Sequence, residues 1–311
     1  MKGFRVFVKN PQILFSLILC CLLLLSIFLK IGLAEDVTSK QGLEVSPPSQ
    51  ELKASPDSVV YVKAKIRNKG TETINIKVRI EDFTASGQEG QVALVDKGVE
   101  SLAKWAVLDV DTFTLKPFEY RDVTASISLP STVAGGLYGS FVFSVDGGNA
   151  GPNAASLSQE LASLFLIKVS GPVNEEMIMS EFSAPVFSEF GPVNLNMKFI
   201  NTGNVHLKPF GLVNVRNIFG KTVKDIVVRG ETNIFPGASR YIRVSFDNGF
   251  LIGPYTAQAL INYGTENSSI SMTTTFFVFP LRYFAALLLV GLVIFKARRR
   301  IVKAVKALSG K

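Results

Sequence analysis

The sequence has few residues suited to catalytic or metal chemistry. Its 311 residues include one histidine, His206, and two cysteines. One histidine excludes an H-E-x-x-H zinc site, and no G-x-S-x-G nucleophile motif occurs. A lone histidine beside a turn is more often a structural residue than a metal ligand. The sequence therefore predicts a protein that is not an enzyme and that has no metal site and no cofactor.

Three short motif matches are better explained by chance. Ser101-Leu102-Ala103-Lys104 has the S-x-x-K pattern of penicillin-binding proteins, but the S-D-N and K-T-G motifs that accompany it are absent. Gly220-Lys221-Thr222 ends like a phosphate-binding loop, but Val215 stands where its first glycine belongs. Asp109 and Asp111 share one side of an extended strand, and two carboxylates alone are too few for a Ca²⁺ site.

Cysteine is missing from most of the chain, because Cys20 and Cys21 both lie near its start. If the chain is cleaved after Ala34, the mature protein contains no cysteine and therefore no disulfide bond. Its stability then depends on burial of apolar side chains, and the length between the terminal segments is enough for two ordinary cores.

Acidic residues are missing from both ends of the chain. The sequence has 33 basic and 25 acidic residues and a net charge of +8. Residues 1–30 contain four basic residues and residues 296–311 contain seven, with no acid in either segment. The remainder has 33 − 11 = 22 basic and 25 acidic residues, a net charge of −3. Basic ends of this kind set membrane topology and are not a nucleic-acid-binding surface.

The N-terminus has the features of a secretory signal peptide, assigned to residues 1–34. A basic start precedes an apolar run from Ile13 to Leu29, and Gly32-Leu33-Ala34 offers the small residues that signal peptidase requires. The long apolar run leaves an uncleaved anchor as an alternative. A lipoprotein is rejected, because apolar sequence continues well past Cys21. Residues 35–42 form a short segment before the first domain.

A second apolar segment near the C-terminus predicts a transmembrane helix over residues 280–295 and a basic cytoplasmic tail over residues 296–311. The mean hydropathy of the chain, +0.30, favours membrane segments. The positive-inside rule then gives a single-pass type I protein in the cell membrane, with extracytoplasmic domains and membrane lipid as a partner. Five residues carry this topology: Arg282, Lys296, Arg298, Arg299 and Arg300.

Between the two ends the sequence predicts an all-β fold. The segment from Thr73 to Ile80 alternates polar and apolar residues, and turn signals recur about every ten residues, as in β-sandwiches. We predict two tandem immunoglobulin-like β-sandwiches, over residues 43–171 and 172–279.

The second half repeats the order of the first. Asn68-Lys69-Gly70 corresponds to Asn201-Thr202-Gly203 with an offset of 133, and Pro117 corresponds to Pro236 with an offset of 119. The difference, 133 − 119 = 14, indicates extra residues in the first copy, which we assign to a polar loop at Glu81–Gly98. Asn and Gly at the shared turn predict backbone with positive φ.

A candidate ligand-binding site lies in the first domain. It consists of Asp82, Phe83, Lys104 and Trp105, because an aromatic ring beside polar groups can stack on a sugar. The alternative is that Phe83 and Trp105 belong to the core. The loops Glu81–Gly98 and Gly147–Ser158 are the segments expected to meet a partner.

Several motifs in order resemble the WxL-interacting surface proteins of Gram-positive bacteria and their relatives. These motifs are Leu43-Glu44-Val45-Ser46-Pro47-Pro48, Asn68-Lys69-Gly70, Glu81-Asp82-Phe83, Ser101-Leu102-Ala103-Lys104-Trp105, Leu115-Lys116-Pro117 and Gly135-Gly136-Leu137-Tyr138-Gly139. The resemblance covers nearly the whole chain and is most specific over residues 43–145. It implies a peptidoglycan-binding immunoglobulin-like domain, a second β domain that meets proteins, and a C-terminal anchor.

Two functions follow as expectations. The first is a membrane-anchored adapter that binds cell-wall peptidoglycan, other cell-surface proteins or both through its immunoglobulin-like domains. The alternative is an immunoglobulin-like scaffold or chaperone subunit of an envelope complex, without affinity for glycans. The state of Trp105 separates them: an exposed ring near Asp82 favours glycan binding, and a buried ring beside an open edge strand favours protein pairing.

Overall fold

The computed structural model describes residues 42–95, 101–145, 159–249 and 251–308, and it confirms the prediction of an all-β fold. The signal peptide at 1–34, the segment at 35–41 and the loop Gly147–Ser158 lie outside the described residues. Strands and helices are numbered here in chain order. They are β1 Leu43–Ser46, β2 Ser49–Ala54, β3 Val59–Asn68, β4 Ile74–Ser86, β5 Gln91–Val95, α1 Leu102–Trp105, β6 Ala106–Leu108, β7 Thr112–Leu115, β8 Tyr120–Ser128, β9 Gly135–Val145, β10 Gln159–Val169, β11 Met177–Ser183, β12 Phe187–Ser188, β13 Val193–Asn201, β14 Phe210–Asn217, β15 Thr222–Val228, β16 Ser239–Phe246, β17 Gly253–Tyr263, β18 Ser268–Val278 and α2 Leu281–Leu308.

The first ten strands form a sandwich of two sheets, called domain 1. One sheet has the order β1-β3-β8-β6, and the other has the order β2-β10-β9-β4-β5, with β7 also paired to β4. In immunoglobulin sandwiches strands A, B, E and D share one sheet and C, F and G the other, and the strands of domain 1 divide in the same way. Strand β3 shows why: Val60, Val62, Ala64 and Ile66 are buried, and the residues between them are exposed.

The remaining strands form a second sandwich, called domain 2. Its sheets have the orders β11-β13-β16 and β12-β18-β17-β14-β15. Alternate residues of β13 and β17 fill the space between the sheets, and the largest buried side chains there include Phe199 and Phe246. Each domain therefore buries its own apolar core, as expected for two sandwiches in one chain.

The repeated Asn-x-Gly motif is built around a buried side-chain amide in both domains. Asn68 and Asn201 are fully buried. The Oδ1 atom of Asn68 accepts a hydrogen bond from the backbone N–H of Gly70, and that of Asn201 accepts one from Gly203, both at 2.9 Å. The predicted positive φ was wrong, because neither asparagine nor the glycine that follows it adopts one. The asparagine serves the turn through its side chain.

Each buried amide also ties its turn to a distant segment. Asn68 Nδ2 donates to the backbone carbonyls of Glu72 and Lys116, at 2.8 and 3.1 Å. Asn201 Nδ2 donates to the carbonyls of Val205 and Ile234, both at 2.7 Å. The segments reached at Lys116 and Ile234 precede the two prolines that the sequence comparison aligned. The internal repeat therefore has a shared physical basis.

The polar excursion Glu81–Gly98 was predicted to be a loop, and over its described part this prediction was wrong. Strand β4 continues to Ser86 and pairs with β5, which makes a β-hairpin with Gly87–Gly90 at its tip. Glycines at positive φ, Gly87 at 67° and Gly90 at 88°, allow the tight turn. Strand formation packs Phe83, Ala85 and Val92 of the hairpin against Phe235. The placement of the extra residues in this excursion was also wrong. The hairpins β4–β5 and β14–β15 correspond and end with an offset of 228 − 95 = 133, so the extra residues lie at α1, β6 and β7.

The C-terminal segment is helical but does not fulfil the transmembrane prediction. Among the described residues no helix is long and apolar enough to pass through a bilayer. The physical reason is that the apolar run between Arg282 and Lys296 contains thirteen residues. Such a run rises only about 20 Å, against roughly 30 Å of hydrocarbon. Helix α2 begins directly after β18 and runs from Leu281 to Leu308.

The five residues assigned to membrane topology all lie on α2. Arg282 is in its first turn, where Nε lies 3.0 Å from Glu189 Oε2. Lys296 and Arg298 are exposed farther along the helix. Arg299 and Arg300 follow them in the same helix.

Candidate functional site

The four residues of the predicted ligand site do not form one open surface. Phe83 is 3% exposed and packs away from solvent. Asp82 Oδ1 accepts a hydrogen bond of 2.9 Å from the backbone N–H of Ala103, and so holds the start of α1. Trp105 is half-buried against the core of domain 1, and Lys104 is exposed. Only part of the tryptophan ring is therefore open to a sugar.

The other motif matches do not present a reactive group. Ser101 is 1% exposed and its hydroxyl has no hydrogen-bond partner, so the S-x-x-K match offers no accessible nucleophile. Asp109 Oδ1 accepts a 3.0 Å hydrogen bond from the backbone N–H of Thr124. In the part of the chain that the structure describes, no group of three or more His, Cys, Asp or Glu side chains could hold a metal ion.

The β4–β5 hairpin contacts domain 2. Its tip lies against β16, where the backbone N–H of Tyr241 donates to the carbonyl of Gln88 at 3.0 Å. Arg243 of the same strand makes two hydrogen bonds to the carboxylate of Glu89. Gly90 lies against the guanidinium of Arg240 so closely that a Cβ atom would come within 2.1 Å of its Cζ. A segment expected to meet another molecule therefore meets the second half of its own chain.

An aromatic cluster fills the space between the domains. Phe235 of domain 2 packs edge-on against Phe83 and Tyr138 of domain 1, with ring centroids 5.5 and 5.0 Å apart. Tyr138 also approaches His206, with its hydroxyl 3.4 Å from Nδ1. Burial raises the pKa of Tyr138 and lowers the pKa of His206, although the carboxylate of Glu51 opposes the second effect. Both groups are therefore neutral near pH 7.

Polar contacts complete the interface on the side of the linker. The Lys168 ammonium pairs with the carboxylate of Glu175, which also accepts hydrogen bonds from the N–H and hydroxyl of Thr265. Burial alone would raise the pKa of Glu175, but these hydrogen bonds outweigh it and hold the pKa below its usual range. Lys208 of domain 2 lies 2.7 Å from Glu51 of domain 1.

A cleft of about 590 Å³ opens between the two domains beside these ion pairs. Lys168, His206, Lys208 and Phe210 are among the residues that line it. Lys168 and Lys208 are paired with Glu175 and Glu51, which also line the cleft and offset their positive charge. Phe210 connects the cleft to the outer face of domain 2.

That outer face carries an apolar strip at an open sheet edge. The strip consists of Phe210, Leu212, Val227 and Leu260, which are 37%, 45%, 62% and 52% exposed. Leu212 is paired across the sheet with both Val227 and Leu260, so the three side chains stand in one row on the same face. Among the described strands β15 pairs with β14 alone, which leaves its other edge unpaired.

The row of residues next to the strip on that outer face is polar. The neighbouring row across the same strands consists of Asp225, Asn214, Gln258 and Thr273. A polar sheet face does not need an apolar row for its own stability, since the core lies on the opposite side. An apolar strip next to an unpaired edge is the arrangement expected where another chain docks.

Sequence reasoning missed the apolar strip. Two signals could have found it: the alternation in Phe210–Asn217 and the β-branched residues in Thr222–Val228. Neither signal shows which alternate residues face outward, because both sets contain apolar side chains. Which residues face outward depends on the register in which β14 pairs with β15 and β17.

No family model matches the chain, and no curated protein matches it. Solved structures with a similar fold include the class 5 fimbriae chaperone CfaA, which is 13% identical, with a TM-score of 0.41 over 76% of this chain and 99% of that one. The YadV chaperone is 9% identical, with a TM-score of 0.36 over 75% and 98% of the two chains. The CsuC–CsuE chaperone–adhesion subunit complex of Acinetobacter baumannii matches at 7% identity and a TM-score of 0.35, over 65% and 89%. At these identities and TM-scores the likeness carries no argument about function.

Proposed function

We propose that the protein is a non-enzymatic, extracytoplasmic scaffold that binds an extended segment of another protein at strand β15. The observation that carries this proposal is the apolar strip beside the unpaired edge of β15, next to a polar row of the same sheet face. An added strand gains backbone hydrogen bonds along the edge, and its alternate side chains gain contact with the strip. The extracytoplasmic location rests on the secretory signal at the N-terminus.

The geometry supports protein pairing more than glycan binding. Phe83 lies in the interdomain cluster, and Asp82 is engaged with α1. Trp105 packs against the core and is followed directly by β6, an edge strand on which Val107 is 66% exposed. A half-buried tryptophan beside an open edge is the arrangement that favours a protein partner.

A peptide library displayed against the immobilised full chain tests this proposal. Peptides with alternating apolar residues should be enriched, and Val227→Lys should weaken their binding about tenfold or more, because a charge on an edge opposes strand addition. Ile178→Lys is the matched control, since it changes an exposed β-branched residue on β11, another edge strand of domain 2. Equal binding by wild type and the Val227→Lys variant, or equal loss in both variants, would contradict the proposal.

Binding of peptidoglycan or of WxL-type surface proteins is the second candidate function. It is supported by the order of motifs over residues 43–145 and by the exposed part of Trp105 beside Lys104. A pull-down of the full chain on insoluble peptidoglycan tests it. Saturable retention that Trp105→Ala weakens would support the adapter function, and no retention of folded protein would remove it.

A further inference from the structure

One end of domain 2 gathers exposed apolar side chains from separate segments. The β14–β15 turn carries Ile218 and Phe219, which are 69% and 89% exposed. Val186 and Phe187, before and in β12, are 85% and 47% exposed, and Ile252 before β17 is 52% exposed. Such large exposed fractions on neighbouring loops are unusual for a sandwich that has buried its own core.

The strand register places these segments at the same end. Asn217, the last residue of β14, is paired with Tyr255 near the start of β17. Gly253 at the start of β17 is paired with Val278 at the end of β18, and Phe187 of β12 is paired with Phe277. One end of the domain therefore contains the β14–β15 turn, the start of β17, the end of β18 and strand β12.

Hydrogen bonds hold the projecting β14–β15 turn in a defined conformation. Asn217 Oδ1 accepts hydrogen bonds from the backbone N–H groups of Phe219 and Lys221, at 3.0 and 3.1 Å. The backbone N–H of Asn217 donates to the carbonyl of Lys221 at 3.0 Å, and Gly220 takes a φ of 75°. This network fixes the turn with Ile218 and Phe219 at its tip.

Helix α2 leaves from the same end, and aromatic rings pack at the junction. Phe279 packs against Phe284 at 5.4 Å between centroids, and Phe190 packs against Tyr283 at 5.3 Å. Phe and Tyr at a surface end, with apolar loop tips beside them, are typical of protein regions that rest in the headgroup layer of a bilayer. A surface contact of this kind needs no helix that crosses the bilayer.

The charge around the turn fits an anionic surface. The segment from Asn214 to Lys224 contains Arg216, Lys221 and Lys224 and no acidic residue. Three acids lie near this segment: Glu189 is paired with Arg282 of α2, Asp225 accepts a hydrogen bond from Asn214, and Asp247 lies beside Lys224, whose Nζ donates to its backbone carbonyl. Cations next to the headgroups of anionic lipids add to the binding supplied by inserted apolar side chains.

We infer that this end of domain 2 docks on a lipid bilayer surface, with Ile218 and Phe219 inserted among the headgroups and upper acyl chains. The occupant is lipid because the apolar side chains project from several separate tips, which a fluid layer can surround. The apolar strip at β15 lies toward the opposite end of the sheet from these tips. In the docked state it therefore stays open to a protein partner. This inference is independent of whether a partner binds at β15.

Tryptophan fluorescence of the full chain tests the docking directly. The Phe219→Trp variant is mixed with phosphatidylcholine–phosphatidylglycerol vesicles, with and without brominated acyl chains. We expect its emission to move to shorter wavelength and to be quenched by the brominated lipid. Tyr61→Trp, at an exposed aromatic position of domain 1, is the matched control and should show neither change; Trp105 contributes the same background to both.

A second measurement uses co-sedimentation of the full chain with the same vesicles. Phe219→Ser should weaken sedimentation about tenfold, because one large apolar side chain is lost from the lipid, and Tyr61→Ser should not. Removing phosphatidylglycerol should also weaken it. Failure of the chain to bind vesicles would overturn the inference. Vesicle binding in which the Phe219→Trp variant is not quenched would overturn it as well, since the contact would then lie elsewhere.

Discussion

Arg243 of domain 2 forms a two-pronged ion pair with Glu89 of domain 1, with Nη1–Oε2 at 2.8 Å and Nη2–Oε1 at 2.6 Å. The hydrogen bonds from Arg243 lower the pKa of Glu89. Both side chains are exposed, so the pair contributes less to stability than to the placement of the hairpin tip on β16. The tip thereby brings Gly90 against Arg240.

Gly90→Ala should destabilise the protein more than a comparable glycine substitution elsewhere. The new methyl group would displace the Arg240 guanidinium from the carbonyl of Asn233, to which it donates at 2.9 Å. Gly220→Ala is the control, because Gly220 also has a positive φ but nothing within 4 Å of its Cβ position. In urea unfolding we expect Gly90→Ala to lose about 1 kcal/mol more than the control. Equal losses would show that Arg240 moves aside freely.

Phe235→Ala should uncouple the unfolding of domain 2 from that of domain 1. The substitution removes the ring that contacts both Phe83 and Tyr138 and leaves a cavity in the interdomain cluster. A loss of about 3–5 kcal/mol is expected for a buried phenylalanine. Calorimetry should then resolve two unfolding transitions, where we expect one for the wild type. Phe219→Ala, at an exposed position, should leave the transition unchanged; a single transition in the Phe235→Ala protein would contradict the expectation.

Asn201→Ala should destabilise domain 2 although the side chain lies at a turn. The carbonyls of Val205 and Ile234 and the N–H of Gly203 would lose their partner inside the protein. Buried polar groups left without a partner are costly, and we expect a loss on the order of 3 kcal/mol in urea unfolding. Asn194→Ala, on the exposed side of the same strand, should be close to neutral. A neutral Asn201→Ala would mean that water replaces the amide.

His206 should make the stability depend on pH. Burial holds its pKa in the folded protein below the usual 6.5. The unfolded chain therefore binds a proton more readily, so this contribution is fully present above pH 6.5 and is lost as the pH falls below it. The slope of unfolding free energy against pH between 6.5 and the folded pKa should be smaller in His206→Gln. Parallel profiles for the two proteins would exclude this effect.

The sequence allowed the all-β fold and the repeat to be predicted because both depend on local patterns. Alternation from Thr73 to Ile80 identified the first part of strand β4, and the Asn-x-Gly offset identified the corresponding turns. The role of the asparagines was not predictable in the same way. Their hydrogen bonds reach Lys116 and Ile234, which are distant in sequence, and local turn propensity carries no information about such partners.

The contacts between the two domains also could not be predicted from the sequence. Glu89 reads as one polar residue in a glycine-rich loop, and Arg243 reads as the polar position of a strand. Their meeting depends on the angle between the two sandwiches. Phe83 shows the same difficulty, because an aromatic residue after a strand is as suited to a ligand site as to an interface.

The two buried asparagines also bear on the history of the chain. Two sandwiches that close the same turn with the same amide are most simply explained by duplication of one ancestral domain. The β4–β5 hairpin has a counterpart in domain 2, the β14–β15 hairpin, and the extra residues of the first copy lie at α1, β6 and β7. The tip of the β4–β5 hairpin lies against strand β16 of the second copy. The same hairpin thus serves as a contact between domains in the first copy and as an exposed turn in the second.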